Sequence, residues 1–300
     1  MLRSIFYLVI LYVVAGCDER HKPAILVQTD FGVKDGAVAA MKGVALSVDP
    51  SLNVYDLTHE IPAYNIWEAA YRLHQALPYW PAGTVIVSVV DPGVGTDRKS
   101  VVALTATGKY VVTPDNGTLT LIDSIVEVRE IDESINRREG SGNSHTFHGR
   151  DVYMYTAAKL AAGKISFQAV GKVLKDSPVL IDFQKAHKDN DTLKGNIPIL
   201  DIQYGNVWTN LQDSLVKLAG IRVNDSIRVK IFEGVKLVSD ITMPFVNSFG
   251  NVESGKELAY INSIGNLALA INRGNYSSTY GIQSGPGWSV QVFKTVGGSR

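Results

Sequence analysis

Between Ala24 and Ala162, short apolar runs that end in polar residues alternate with stretches whose apolar groups recur at helical spacing, and this limits the fold more than any other feature. Ala24-Ile25-Leu26-Val27-Gln28-Thr29-Asp30 reads as a strand and Ala37 to Val48 as a helix. Leu52 to Leu57 then reads as a strand, Ile66 to Leu77 as a helix and Thr84 to Val90 as a strand. Ser100 to Ala106 and Tyr110 to Thr113 read as further strands, and Asp151 to Ala162 as a closing helix. Such alternation predicts an α/β fold: a mixed, mainly parallel sheet covered by helices. We assign it to residues 24–181.

From Asp182 to Lys194 the chain turns to Gln, Lys, His, Asp and Asn without apolar periodicity, so 182–194 reads as a linker. Beyond it, Ile197 to Tyr204, Ser226 to Phe232, Lys236 to Ile241, Leu258 to Asn262 and Leu267 to Ile271 are short and separated by Gly, Asn and Ser. They predict a smaller, mostly β domain over 195–295.

Residues 1–17 stand outside this scheme. Arg3 precedes an uncharged stretch from Ser4 to Cys17 of 14 residues, shorter than the about 20 that cross a bilayer as a helix. Val14-Ala15-Gly16-Cys17 resembles a bacterial lipobox, and the abrupt change to Asp18-Glu19-Arg20-His21-Lys22 argues against a buried strand. The expectation is a lipoprotein signal peptide ending at an acylated Cys17, with the protein exported and lipid-anchored to a membrane of the bacterial cell envelope. Cys17 is the only cysteine, which excludes a disulfide framework and a thiolate zinc site. Lys plus Arg and Asp plus Glu both number 29, so no net field recruits nucleic acid.

Polar residues gather where the first domain's strands end, the usual place for ligands in open α/β sheets. Thr29-Asp30-Phe31-Gly32, Thr58-His59-Glu60 and Asp91-Pro92-Gly93-Val94-Gly95-Thr96-Asp97-Arg98 are such groups. In the last, an acid, two glycines and an arginine suit close positioning of a substrate; equally, Asp91 can cap a tight turn and pair with Arg98. Gly93-Val94-Gly95 is no phosphate fingerprint, because Arg98 occupies the third glycine's place. His148 precedes a helix, where an imidazole can exchange protons near neutral pH or stand as an ordinary surface histidine. His145 and His148 have metal-ligand spacing, but the loop-like Ser141-Gly142-Asn143-Ser144 before them argues against a metal, and none is expected. In the second domain, Asp201 to Asn210 brings acid, amide and aromatic groups together, which reads either as a polar-heterocycle site or as a turn with Trp208 in the core.

In order along the chain, Thr29-Asp30-Phe31-Gly32, Asp56-Leu57-Thr58-His59-Glu60, Asp91-Pro92-Gly93-Val94-Gly95, Pro114-Asp115-Asn116-Gly117, Phe147-His148-Gly149-Arg150-Asp151, Gly205-Asn206-Val207-Trp208-Thr209-Asn210 and Tyr260-Ile261-Asn262-Ser263 resemble the SAM hydroxide adenosyltransferases, the family that includes fluorinase and chlorinase. The resemblance implies an N-terminal α/β domain, a C-terminal β-barrel-like domain and a homotrimer with active sites between subunits. It implies attack of water on C5′ of S-adenosyl-L-methionine (SAM), yielding adenosine and methionine, with SAM as substrate and no cofactor. By the same matching, Asp91, Arg98 and His148 form the catalytic triad. Asp30 holds the ribose hydroxyls, Tyr64 flanks the sugar, Asn206 and Phe245 contact adenine, and Asp35, Asp201 and Ser263 hold the methionine portion.

The halogenase branch carries tyrosine at Asp91 and serine at Gly149, so both differences favour water over halide as nucleophile. Ser263-Ile264 replaces a serine followed by arginine, which removes one grip on the methionine carboxylate. Two other readings compete with hydrolysis: a lipid-anchored protein that binds adenosine or another nucleoside without catalysis, and a SAM-dependent halogenase.

Overall fold

A computed structural model describes residues 22–295, and the expected leader with Cys17 lies outside the described residues. Strands β1 (Ile25–Thr29), β2 (Val54–Thr58), β3 (Val85–Val89), β4 (Ser100–Thr105), β5 (Tyr110–Pro114) and β6 (Ile125–Glu130) form one sheet in the order β2-β1-β3-β5-β4-β6. β2, β1, β3 and β5 run parallel, and β4 is antiparallel to β5 and β6. Successive side chains of a strand point to opposite faces. Ile25 and Val27 therefore join a buried cluster with Met41, Val44 and Ala45 of helix α1 (Ala37–Val48), whereas Leu26 joins another with Leu73 of α2 (Ile66–Ala76). Both faces are covered, which is why these strands are near-continuous Val, Ile and Leu.

Edge strand β6 adds to the expected set. Only Val128 of its six residues is buried, so it carries little apolar signal. After the short helix α3 (Glu133–Asn136), the closing helix starts earlier than expected and changes pitch. Gly149–Met154 is a π-helical turn that runs into α4 (Tyr155–Ala161).

The C-terminal part contains β7 (His187–Asp189), β8 (Thr192–Asn196), β9 (Ile199–Leu200), β10 (Val207–Gln212), β11 (Ser226–Glu233), β12 (Lys236–Pro244), β13 (Glu257–Ile261), β14 (Asn266–Ile271) and β15 (Trp288–Lys294), with helices α5 (Asp213–Leu218) and α6 (Tyr276–Tyr280). They form antiparallel sheets ordered β12-β11-β15-β8-β7 and β13-β14-β10-β9. Leu193, Val207, Val229, Leu269 and Val292 bury together between them, so the β-barrel-like body is two sheets over one core. The stretch read as a linker is partly structured, because residues 187–196 form the β7–β8 hairpin and β8 pairs with β15. Backbone pairing needs no side-chain periodicity, and Asn190 supplies the left-handed turn residue at φ 51°. Trp67 of α2 donates from Nε1 to Pro198 O at 2.8 Å and meets the Phe183 ring at 5.3 Å, joining the two parts.

Candidate active site

β1 and β3 are neighbours in register, Thr29 opposite Val89, so the residues that follow them emerge side by side at the carboxyl edge of the sheet. Asp30, Tyr64, Asp91, His148 and Gly149 accordingly line one cavity of about 240 Å³, walled by Phe31 and Phe147. The Asp91–Arg98 loop folds tightly against the segment before His148. A side chain at Gly95, which has φ +78°, would come within 2.9 Å of the His145 carbonyl oxygen. Asn116 Nδ2 donates to Val90 O at 2.9 Å and fixes the strand end just before Asp91.

Asp91 is held on several sides. Arg98 Nε donates to its Oδ1 at 2.9 Å and Arg98 Nη2 to its Oδ2 at 2.6 Å, while the Tyr153 hydroxyl donates to Oδ2 at 3.1 Å. Arg98 Nη1 reaches Ser100 Oγ at 2.9 Å, and Ser100 in turn donates to the Tyr153 oxygen at 3.3 Å, closing a ring of four side chains. The Asp91 and Arg98 side chains are 5% and 11% exposed, so this is a nearly buried, bidentate ion pair. Burial, together with the Asp91 charge, keeps the Tyr153 phenol far above its ordinary range, so it remains a donor. Oδ1, with a single guanidinium partner, retains capacity to accept a hydrogen bond from a molecule in the cavity.

His148 lies between two guanidinium groups. Its Nδ1 is 2.9 Å from Arg98 Nη2 and its Nε2 is 3.1 Å from Arg137 Nη2. Arg137 is paired with Glu133 of α3 through Nε at 3.1 Å. A neutral imidazole offers one acceptor nitrogen, so only one contact can be a hydrogen bond at a time; the shorter contact assigns the acceptor to Nδ1. Protonation would aim N–H groups at donors on both sides. Burial first, then the Arg98 charge, accordingly lowers the His148 pKa below 6.5.

Asp30 Oδ2 accepts from Tyr64 N at 2.9 Å, and Tyr64, at φ 67° and 72% exposed, projects its ring over the cavity. This is a costly backbone conformation for a tyrosine, of the kind that clusters at ligand sites. Thr29 Oγ1, His59 Nδ1 and His59 Nε2 to Asp56 form a Thr-His-Asp series at 2.8 and 3.0 Å. Thr29 is fully buried, so this series braces the Asp30 loop rather than reacting. Asp35 is exposed, accepts from Ala37 N at 2.8 Å at the start of α1, and does not line the cavity.

The other expected binding residues lie elsewhere. Asp201, Asn206 and Ser263 line a cleft of about 720 Å³ in the C-terminal part, with Trp208, Phe249, Tyr260 and Asn262. Asn206 Nδ2 donates to Asp201 Oδ2 at 3.1 Å, and Gly205 permits the turn because a side chain there would strike Asn275. Phe245 is not among them. It is 5% exposed, belongs to the C-terminal core and borders a different cavity with Val223 and Val246. Phe249, its ring tilted 53° to that of Tyr260 with centroids 4.9 Å apart, is the phenylalanine of the cleft. Trp208 falls in the stretch that the sequence leaves open between a heterocycle site and a turn with Trp208 in the core, and neither it nor Asn262 was assigned a binding role. Asn262 Oδ1 does fasten the turn, accepting from Ile264 N and Asn266 N, but Asn262 Nδ2 is a buried donor without a partner. Such a group costs about 1–3 kcal/mol unless an acceptor meets it. Ile264 lines a separate cavity between the two parts, beside His74 and Leu215, and takes no place in the cleft with Ser263.

Residues 25–171 match the SAM hydroxide adenosyltransferase N-terminal domain and residues 195–289 its C-terminal domain. The chain belongs to the SAM hydroxide adenosyltransferase family. Within it, the chain is similar to the (R)-S-adenosyl-L-methionine hydrolase of Methanocaldococcus jannaschii, 36% identical over 82% of this chain and 87% of the relative. The enzyme of the same name from Salinispora tropica is 34% identical over 88% and 95%. A fluorinase from an Actinoplanes species is 28% identical over 88% and 95%. Among solved structures, a conserved Thermotoga maritima protein superimposes with a TM-score of 0.80 at 32% identity, covering 90% of this chain and all of that one.

Proposed function

We propose that this SAM hydroxide adenosyltransferase hydrolyses S-adenosyl-L-methionine to adenosine and L-methionine. The observation that carries the reading is the ring that fixes Asp91, a lining residue of the cavity, through Arg98, Ser100 and Tyr153 while leaving Oδ1 with a single guanidinium partner and further capacity to accept. Water held by Oδ1 attacks C5′; the C5′–S bond breaks and its electron pair leaves on sulfur as the neutral thioether of methionine. No acid is needed for that leaving group. The water proton passes to Asp91 as the C–O bond forms and is then released to solvent. General-base assistance of this kind contributes about 10²–10⁴-fold. In-line positioning in a dry site removes about 7–11 kcal/mol of barrier and so accelerates the reaction more than the base does. Arg98 orients Asp91, and neutral His148 holds Arg98.

Within this reading Asp30 accepts the ribose hydroxyls and Tyr64 flanks the sugar. The cleft of Asp201, Asn206 and Ser263 receives adenine and the methionine portion, with Asn262 Nδ2 as a donor to one of the substrate's acceptor atoms. The two sets of residues share no lining group, and the 240 Å³ cavity is below the about 300–1,000 Å³ of a small-molecule site. A homotrimer in which one subunit's cavity meets its neighbour's cleft accounts for both facts. Asp91 and Gly149 in place of the halogenases' tyrosine and serine support water as nucleophile. Export and acylation at Cys17 are supported by the leader sequence alone.

Incubating the purified mature protein with SAM, and separating products by chromatography, tests the reading. Adenosine and methionine in equal amounts are expected. Intact adenosine binding without turnover would leave the nucleoside-binding reading, and 5′-halo-adenosine in the presence of halide would establish the halogenase.

A further inference from the structure

We propose that the acylated protein rests on the bilayer with the edge of its first sheet opposite the catalytic cavity, and that Tyr55, Tyr79 and Trp80 seat among the lipid headgroups. This rests on the acylation reading at Cys17 and adds an orientation to it.

The described chain starts at the amino-terminal edge of the parallel strands. Lys22 pairs with Asp49, Ile25 N donates to Asn53 O at 2.9 Å just before β2, and Pro23 lies beside Gly83 just before β3. Gly83 N donates to Gly108 O at 2.7 Å, which brings the turn before β5 to the same edge. Cys17 is five positions before Lys22, a reach of at most about 18 Å. An acyl chain on Cys17 therefore keeps this edge close to the bilayer.

The surface there suits that partner. Tyr79 is 73% and Tyr55 48% exposed, and the Trp80 ring lies 5.6 Å from that of Tyr55. Tyr and Trp rings with an apolar body and a polar tip are the groups that settle at a headgroup boundary. Lys164, which reaches Val48 O, adds a cation beside the Lys22–Asp49 pair and complements anionic headgroups. No helix among the described residues is long and apolar enough to cross a membrane, so the contact is peripheral and the acyl chains supply the hold. Asp30 and Asp91 follow the far ends of β1 and β3, about 17 Å away along five residues at 3.3 Å each. The cavity thus opens away from the lipid, toward the aqueous phase that carries a water-soluble cation.

The test uses the full acylated chain extracted from membranes, with the mass of its N-terminal peptide recorded. It is reconstituted into phosphatidylethanolamine–phosphatidylglycerol vesicles, a fraction of whose acyl chains carry bromine, and tryptophan emission is read. Quenching is expected in the wild type, largely lost in Trp80→Phe and retained in Trp208→Phe, with SAM turnover unchanged by Trp80→Phe. An acylated wild type without quenching, or quenching that disappears with Trp208→Phe instead, overturns the orientation and leaves the anchor standing. An unmodified Cys17 overturns the anchor and the orientation together and leaves the hydrolase reading untouched.

Discussion

Asp91 and His148 both contact Arg98 and respond to change in different ways. Asp91→Asn keeps the shape and removes the proton acceptor, so steady-state kinetics should show turnover reduced by about 10²-fold or more while calorimetry finds adenosine affinity nearly unchanged. For His148 the sign follows from its lowered pKa. The folded state holds the neutral form and the unfolded chain binds the proton first. The stability His148 contributes is therefore complete above about pH 6.5 and is lost as pH falls from there through the folded-state value. Turnover should decline over the same range, because an imidazolium at His148 repels the Arg98 that orients Asp91. Denaturation and rate profiles against pH should both flatten below 6.5 in His148→Gln. Asp91, Arg98 and His148 were singled out by the strand-end loops and the resemblance and lie together in the fold, but Arg137, Ser100 and Tyr153, which contact them, were not singled out. They approach from other strands and helices, and no local pattern marks a residue by what it will meet. Phe245 and Phe249 show the same limit, since only the packed sheet decides which of two nearby phenylalanines faces the core.

The elements that position the site were mostly readable. Strands β1, β3 and β5 announce themselves because both faces are buried; β10 and β15 alternate buried and more exposed residues, the ordinary signal of a half-buried strand, and went unread because each is short and flanked by turn-forming residues. The π-helical turn was invisible as such, because its sequence satisfies a helical period equally well. It matters because it follows His148 directly and buries Asp151 between Arg138 and Arg150, at 2.9 and 2.7 Å. Burial opposes the Asp151 charge, but hydrogen bonds from the two arginines outweigh it and lower its pKa. Asp151→Ala should lower unfolding free energy by about 1.5–3 kcal/mol in urea titration and reduce turnover through the displaced His148. An unchanged midpoint would show that the turn holds its shape without that carboxylate.

At the scale of the molecule, the proposed site is divided between two clefts that share no lining residue. If neighbouring subunits complete one site, Asp91→Asn and Asn206→Ala chains should each be nearly inactive alone, yet regain activity when unfolded and refolded together, since some sites then combine two intact halves. Failure of the mixture to recover would place the whole site within one chain. The order of the α/β and β parts was legible, whereas a site shared between subunits was implied by the resemblance alone, since no pattern within one chain records how copies would assemble. The proposed reaction requires water, and not halide or a second organic nucleophile, to displace methionine at C5′. Turnover of SAM in ¹⁸O-labelled water, followed by mass spectrometry of the adenosine, tests this most directly. One ¹⁸O is expected in the 5′-hydroxyl and none in the methionine; unlabelled adenosine, or none at all from folded protein that still binds it, would contradict water as the nucleophile.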